Sequence, residues 1–343
     1  STQGVSSAAS DVYKRQDEGV LPKISKTIEE LKNNEENVLQ DILLGRRIPT
    51  YSKKLAAEPP FFNKDLDKAQ KEAVEFAIQQ KEIAIINGPP GTGKTRTIIE
   101  IILQLVKDKQ KVLVCAPSNN ATDNILEKIA LQEHNIIRIG NPARVKKETI
   151  RFNLEVVWKR NVEESNSLSK EGTNNIPEQK QKGNRTSGRI KEGVCKKILK
   201  EASVVFSTLA SATLNGPIKH VAHKHFDATI VDEAAQAKQI ETWIIVHRAP
   251  KLILAGDPHQ LPPTVLSEKA RKEGMDVSLM ERVLDIHGER VSRFLAVQYR
   301  MNEKIGRWIS SHMYDNKLKT GMKNRNRNLT ELNKVMDSIF TRK

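Results

Sequence analysis

Short apolar runs of strand length alternate along this chain with segments of helical periodicity. Several of the runs are apolar at every position, which is typical of strands that are buried on both faces. Parallel strands joined by crossover helices meet this requirement, because the helices then cover both sides of the sheet. The sequence therefore predicts an α/β fold built on a parallel sheet. The predicted strands are Ile83–Asn87, Val112–Ala116, Ile136–Gly140, Val204–Ser207, Thr229–Val231, Leu252–Ala255 and Phe294–Val297.

A glycine-rich segment follows the first predicted strand. Residues 88–95 read GPPGTGKT and precede a helix-like run, Thr97–Val106, so the pattern GxxxxGK[ST] lies in its strand–loop–helix context. The glycines let backbone amides converge on phosphate oxygens, and the helix adds its positive N-terminal end. Lys94 would supply a charge to the β- and γ-phosphates, and Thr95 a hydroxyl to Mg²⁺. We expect ATP to bind to Gly88, Pro89, Pro90, Gly91, Thr92, Gly93, Lys94 and Thr95.

An ATPase with such a loop also needs acidic residues at the end of a second strand. The predicted strand Thr229–Val231 is followed directly by Asp232 and Glu233. Asp232 suits Mg²⁺ through a bound water, and Glu233 is placed to orient and deprotonate the attacking water. An apolar strand ending in Asp-Glu is weak evidence alone, and its coupling to the phosphate loop makes it specific.

The chain has an excess of positive charge. It has 57 Lys and Arg against 42 Asp and Glu, a net charge of +15. Residues 144–200 contribute a net +8 (15 basic and 7 acidic), and residues 315–343 a net +5 (8 and 3). A solvated basic face would account for this, but its size favours a nucleic-acid partner.

Several classes of protein are excluded. No apolar run approaches the roughly 18–20 residues that span a bilayer, so no membrane partner is expected. The two cysteines, Cys115 and Cys195, are far apart, which excludes a disulfide scaffold and a cysteine-built zinc site. They indicate a reducing compartment, the cytoplasm or nucleus. The histidines of KHVAHKH (219–225) lack nearby cysteines and lie among lysines, so we do not interpret them as a metal site.

The ordered motifs QKEAV, GPPGTGKT, APSNNATDN, DEAAQ, GDPHQLPP and QYRMN resemble those of superfamily 1 helicases. Within them the chain is similar to the up-frameshift-like family, most of all to its branch of immunoglobulin mu-binding proteins. A senataxin-like member would share many of these strings and stays an alternative. The resemblance covers about Leu31 to Met313 and implies RecA-like domains.

The resemblance assigns roles around the nucleotide. Gln70 matches the glutamine that reads the adenine edge, and Tyr299 an aromatic residue that stacks near the base. Arg300 matches the arginine that reaches the γ-phosphate, which its planar charge suits. Gln260 matches the glutamine that senses the γ-phosphate and couples it to nucleic acid. The family often has another residue at Pro258, so the geometry of this loop could differ here.

Two loops match segments that touch the nucleic-acid backbone in the family. Their small hydroxyl and amide side chains suit contacts with phosphate and sugar that ignore base sequence. Each residue alone would pass as an ordinary turn former. The residues concerned are Pro117, Ser118, Asn119, Ser207 and Thr208.

The expected organisation follows from the resemblance and from composition. Residues 1–16 are interpreted as a non-native leader, and residues 17–60 as a stalk and linker. The stalk contains a predicted helix from Leu21 to Leu44, which Gly45 closes. Residues 61–290 form a first RecA-like domain with a basic helical insertion at 144–200. Within it, Ser165–Gly188 is nearly free of apolar residues and is expected to be exposed. Residues 291–343 are the truncated start of a second RecA-like domain.

The expected activity is ATP hydrolysis stimulated by single-stranded RNA or DNA and coupled to 5′→3′ movement and unwinding. A monomer is expected, with ribonucleoprotein or ribosome association implied by the family. One alternative is a truncated fragment that binds ATP and nucleic acid without motor activity. Another is an oligomeric ATPase acting on proteins, against which QYRMN and GDPHQL argue. With little of the second domain present, turnover is expected to be slow.

Overall fold

The computed structural model describes residue 29 and residues 37–51, 60–132, 135–170, 184–213, 216–222 and 224–326. The predicted leader, His223 and parts of the stalk and of Ser165–Gly188 lie outside the described residues. A seven-stranded sheet has the order β3-β4-β2-β5-β6-β1-β7, and a two-stranded sheet pairs β8 with β9. The strands are β1 (Ile83–Asn87), β2 (Val112–Ala116), β3 (Ile136–Ile139), β4 (Val204–Thr208), β5 (Ala228–Val231), β6 (Lys251–Gly256), β7 (Ser292–Phe294), β8 (Val297–Gln298) and β9 (Lys319–Thr320).

Ten α-helices occur in the described residues. They are α1 (Val38–Leu43), α2 (Lys68–Gln79), α3 (Lys94–Lys107), α4 (Asn119–Ile129), α5 (Leu154–Lys170), α6 (Asn184–Glu201), α7 (Gln239–Val246), α8 (Glu268–Lys272), α9 (Leu279–His287) and α10 (Glu303–Met313). In this part of the chain, no helix has the length and apolarity needed to cross a membrane. The predicted α/β fold with a largely parallel sheet is confirmed.

Backbone contacts divide the chain into two compact units. The first unit comprises residues up to Asp41, Asp108–Ile230 and Gln239–Leu252. In it β4 pairs in parallel with both β2 and β3, and every residue of these three strands is buried. Helix α4 packs on β2 and β4, and α5 packs on α6. Ser118 begins α4 as its N-cap, because its hydroxyl accepts a hydrogen bond from the Ala121 amide.

The second unit comprises Ile42–Lys107, Val231–Lys238 and Ile253–Lys343. In it β1 pairs in parallel with β7, and α2 packs against α3, β1 and β7. A reciprocal capping box between Asp67 and Gln70 starts α2. The apolar residues of α3 recur on a face that is fully buried, which fixes the helix that follows the phosphate loop.

The structure corrects several expected boundaries. The predicted strand Phe294–Val297 is wrong as a single element, since β7 ends at Phe294 and β8 begins at Val297 in a different sheet. The amide of Leu295 donates to the carbonyl of Asn87, and the chain then leaves the large sheet. Helices α5 and α6 run further into Ser165–Gly188 than its composition suggested. The division into domains stays a prediction.

Candidate nucleotide site and nucleic-acid interface

The phosphate loop connects β1 to α3 in the second unit. The Gly88 amide donates to the Gly256 carbonyl at 2.8 Å, and the Thr92 hydroxyl donates to the Pro89 carbonyl at 2.7 Å. Gly91 and Gly93 have φ angles of +79° and +81°, which side chains with a Cβ rarely adopt. The sequence predicted this loop, because the glycines stand where the backbone must curl before a helix N-terminus.

Lys94 lies between the two carboxylates expected beside it. Its Nζ is 3.0 Å from Glu233 Oε2 and 3.8 Å from Asp232 Oδ1. The Lys94 side chain is 11% exposed and the Glu233 side chain 32%, so water reaches this contact only in part. Asp232 follows β5, and its Oδ1 accepts a hydrogen bond from the Glu233 amide. The structure thus gathers the ammonium and both acidic groups at one point.

Glu233 has an unusual backbone for its residue type. Its φ and ψ are 53° and 39°, in the left-handed region, and it begins the short turn Ala234–Gln236. Non-glycine residues pay a cost of roughly 1–2 kcal/mol for this conformation, and such strain clusters at functional sites. The turn also lets the side-chain Nε2 of Gln236 donate to Glu233 Oε2 at 3.4 Å. Sequence reasoning gave no sign of this strain.

The donors expected for Mg²⁺ fit that ion in chemical type. Asp232 offers a carboxylate and Thr95 a hydroxyl, and Mg²⁺ prefers oxygen ligands. Asp232 is buried, and Thr95 is half-buried in the first turn of α3. The residues present are therefore suited to hold a hydrated Mg²⁺ beside phosphate oxygens.

Gln70 is buried and bonded on both sides of its amide. Its Oε1 accepts from the Asp67 amide at 3.1 Å, and its Nε2 donates to the Thr92 carbonyl at 2.9 Å. Only 2% of the residue is exposed. In this structure Gln70 joins the start of α2 to the phosphate loop. Its expected reading of adenine stays a prediction.

The QYR segment (Gln298–Arg300) lies against the phosphate loop (residues 88–95). The Tyr299 amide donates to the Gly91 carbonyl at 2.8 Å, and its hydroxyl donates to Asp67 Oδ2 at 2.7 Å. Burial, together with the Asp67 carboxylate, raises the pKa of Tyr299 to about 12. A Cβ added to Gly91 would lie 2.6 Å from the Arg300 Cβ, while the Arg300 side chain itself is exposed. The backbone and Cβ of Arg300 therefore lie beside the loop that is expected to bind the phosphates.

A cavity of about 610 Å³ opens beside Gln70 and Tyr299. Its volume falls within the range of small-molecule sites, roughly 300–1,000 Å³. Sequence reasoning missed several of its residues, and Asp67 beside it could have been found, because Asp followed by Gln at the third helical position indicates a capping box. The cavity is lined by Asp65, Gln70, Arg96, Tyr299, Met322, Lys323 and Asn324.

Gln260 lies in the loop after β6, bonded to an aspartate that the sequence motif contains. Its Nε2 donates to Asp257 Oδ2 at 2.9 Å, and its backbone amide donates to the Asp257 carbonyl at 3.1 Å. Asp257 Oδ2 also accepts a hydrogen bond from the Tyr314 hydroxyl at 2.6 Å. Sequence reasoning did not single out Tyr314.

The residues expected to touch nucleic acid lie in the first unit, and they differ in accessibility. Ser118 is exposed, and Pro117 and Asn119 are half-buried. Ser207 and Thr208 are buried, and the Thr208 hydroxyl accepts a hydrogen bond from the Ser211 amide at 3.2 Å. In this structure the hydroxyls of β4 are used within the protein, and the accessible part of that loop is Ala210 and Ser211.

A buried ion pair orients Asn119. Arg138 Nε donates to Asp123 Oδ1 at 2.8 Å, and both side chains are fully buried. Arg138 Nη2 donates to Asn119 Oδ1 at 2.8 Å, and the Lys146 amide donates to the second Asp123 oxygen. The arginine was hidden from sequence reasoning because it lies within an otherwise apolar strand.

The chain matches family models and curated proteins over most of its length. A family model described as AAA domain matches residues 65–185 and 155–268, and a second with the same description matches residues 275–341. Together they cover well over half of the chain.

Curated relatives include three helicase or DNA-binding proteins. The DNA-binding protein SMUBP-2 of Mesocricetus auratus is 42% identical over 90% of this chain and 33% of its own length. The DNA polymerase alpha-associated DNA helicase A of Schizosaccharomyces pombe is 34% identical over 89% and 48%. The probable helicase senataxin of Homo sapiens is 30% identical over 80% and 13%. The chain thus spans half or less of the length of these relatives.

Proposed function

The chain belongs to the AAA domain family of superfamily 1 helicases, and on that premise we propose that it is an ATP-dependent motor on nucleic acid. It binds and hydrolyses ATP, is stimulated by single-stranded RNA or DNA, and moves 5′→3′. The observation that carries the proposal is Lys94, held between Glu233 and Asp232 at the phosphate loop.

The residues of the second unit divide the chemistry between them. The backbone of the loop and Lys94 bind the phosphates, and Lys94 exchanges its carboxylate contacts for phosphate oxygens. Glu233, released from Lys94, accepts a proton from the attacking water. Thr95 and Asp232 hold Mg²⁺, which when bound neutralises charge on the phosphates. Arg300 and Gln260 stabilise the charge that develops on the transferred group.

The start of α4 supports the nucleic-acid part of the proposal. Ser118 and Asn120 are exposed where the helix presents its positive end, and Asn119 is held by Arg138. Such groups bind phosphate and sugar without reading bases. The names of two relatives refer to DNA, so we include DNA with RNA among the substrates. A monomeric state and ribonucleoprotein or ribosome association are part of this proposal, and a senataxin-like member is the alternative to it.

The test is steady-state ATP hydrolysis with and without oligo(U) or oligo(dT), using Lys94→Ala as the control. We expect hydrolysis that the single strand accelerates and that the Lys94→Ala variant lacks. Duplexes with a 5′ or a 3′ single-stranded tail then test the direction of movement. Binding of both ligands without hydrolysis would instead support the alternative of a binding module. Absence of nucleotide binding would reject the proposal.

A further inference from the structure

Asp257 directly follows β6 and is bonded to Tyr314 at the end of α10, both in the second unit. It is 1% exposed, and one of its oxygens, Oδ2, accepts hydrogen bonds from Gln260 and Tyr314 at 2.9 and 2.6 Å. The other oxygen accepts from the His259 amide at 3.1 Å. A buried carboxylate needs such donors, because an unpaired buried charge is costly. The Gln260 amide is therefore oriented with its nitrogen towards Asp257.

Tyr314 is held firmly in the position from which it donates. The residue is 4% exposed, and its ring contacts the rings of His259 and Phe294 at centroid distances of 5.3 and 5.9 Å. Its amide caps α10 by donating to the Ser310 carbonyl. Burial and the Asp257 carboxylate raise the pKa of Tyr314 well above its ordinary value, so the hydroxyl stays a donor.

Helix α10 connects Tyr314 to the QYR segment. It begins at Glu303, three residues after Arg300, and ends next to Tyr314. Just before the helix, Gln298 Oε1 accepts hydrogen bonds from the backbone amides of Arg300 and Met301. An α-helix of this length is a rigid rod of about 16 Å. One continuous helix therefore separates Asn302, two residues after Arg300, from Tyr314.

We propose that Tyr314 is a positioning residue that transmits the state of the nucleotide from Arg300, through α10 and Asp257, to Gln260. The inference rests on the proposed function. While the hydroxyl of Tyr314 is bonded to Asp257, the carboxylate is fixed and holds the Gln260 amide in one orientation. When the QYR segment moves as phosphates bind, α10 shifts the hydroxyl, and the hold of Asp257 on Gln260 changes. Gln260 thereby receives the signal from two sides, from the phosphate and from α10.

The test compares Tyr314→Phe with Tyr51→Phe. The first removes the hydroxyl and keeps the buried ring, and the second removes a hydroxyl from a tyrosine that is 70% exposed. The affinity for oligo(U) is measured with and without a non-hydrolysable ATP analogue and Mg²⁺. Coupling between two sites typically changes affinity by roughly 5–150-fold. For the parent and for Tyr51→Phe, we expect the analogue to change the affinity for oligo(U) by a factor in this range. For Tyr314→Phe, the ratio of the affinities with and without the analogue should be near one.

Two further measurements separate coupling from structural damage. Tyr314→Phe should keep the parent's affinity for the analogue alone, whereas kcat of stimulated hydrolysis should fall and KM for ATP should not. Gln260→Ala should also bring the ratio of the two oligo(U) affinities near one, and the double variant should lose no more of this coupling than either single variant, because residues that act along the same path are not additive.

The outcomes distinguish this inference from the proposed function. If the parent binds neither ATP analogue nor oligo(U), the proposed function fails and the inference fails with it. If the parent couples the two ligands and Tyr314→Phe couples them equally well, the inference alone is wrong. A lower melting temperature with an unchanged coupling ratio would assign Tyr314 a purely structural role and would also overturn it.

Discussion

At the scale of single residues, the most informative side chain is Lys94. Its ammonium is shared by Glu233 and Asp232 within 4 Å, in a site that water reaches only in part. Charges in such surroundings interact more strongly than in bulk water. An arriving triphosphate adds negative charge beside the loop and competes for Lys94. Nucleotide binding should therefore free Glu233 at the moment when it is needed.

Substituting Lys94 and Glu233 one at a time separates ATP binding from the chemical step of hydrolysis. Lys94→Ala should weaken ATP binding, because the ammonium contacts phosphates in the ground state. Glu233→Gln should bind ATP as the parent does, yet lose most of its hydrolysis, by roughly 10²–10⁴-fold for a general base. Equilibrium binding of a fluorescent ATP analogue and steady-state hydrolysis measure the two effects. Parent-like hydrolysis by Glu233→Gln would show that the base has been assigned wrongly.

Other residues show what sequence could not supply. The motif predicts Gln70 beside the nucleotide, and that role stays a prediction. In the structure its side-chain amide is bonded to the Asp67 amide and to the Thr92 carbonyl of the phosphate loop. The same holds for Thr208, whose hydroxyl caps a turn. A motif specifies residue types and order, whereas hydrogen-bond partners depend on which backbone groups the fold leaves without one.

At the scale of elements, β3 contains the least expected feature. Arg138 is fully buried in a strand of otherwise apolar residues, and its guanidinium connects β3 to Asp123 and Asn119 of α4. Removing one member of a buried ion pair leaves an uncompensated charge. This pair therefore fixes the end of α4 that we propose to contact nucleic acid.

The stability of variants at this pair tests its role. Arg138→Met should lower the free energy of unfolding by about 3–5 kcal/mol, because Asp123 stays buried without its partner. The double variant Arg138→Met with Asp123→Leu should recover part of that loss. Urea denaturation followed by circular dichroism measures both. Equal destabilisation by the single and double variants would mean that packing, and not charge, dominates at this site.

Strands were largely predictable from sequence, and their ends were not. β1 and β2 match their predicted bounds, because each is a short, largely apolar run that begins after a charged residue and ends before a glycine or a proline. Phe294–Val297 looked like one apolar strand, yet Val297 pairs with Lys319 of β9. An apolar run does not reveal which partner strand each half will find, since that choice depends on residues distant in sequence.

At the scale of the whole molecule, the excess of positive charge should govern nucleic-acid binding. Affinity for oligo(U) should fall by roughly 10–100-fold between about 50 and 200 mM salt, as expected when a few phosphates are neutralised. Oligo(U) and a mixed-sequence strand should bind almost equally, because phosphate contacts carry no sequence information. Fluorescence anisotropy across a salt series measures this. A strong base preference that persists at the higher salt would contradict it.

The left-handed backbone of Glu233 sets activity against durability. Glutamate fits this conformation poorly and asparagine fits it better, so the native residue keeps the molecule below its attainable stability. Glu233→Asn and Glu233→Gln lose the same charge, and Asn should melt higher, by about 1 kcal/mol of unfolding free energy, in thermal denaturation. Equal melting of the two would mean that the backbone there relaxes. A substitution at this position that raises the stability of the protein would therefore also remove its hydrolysis of ATP.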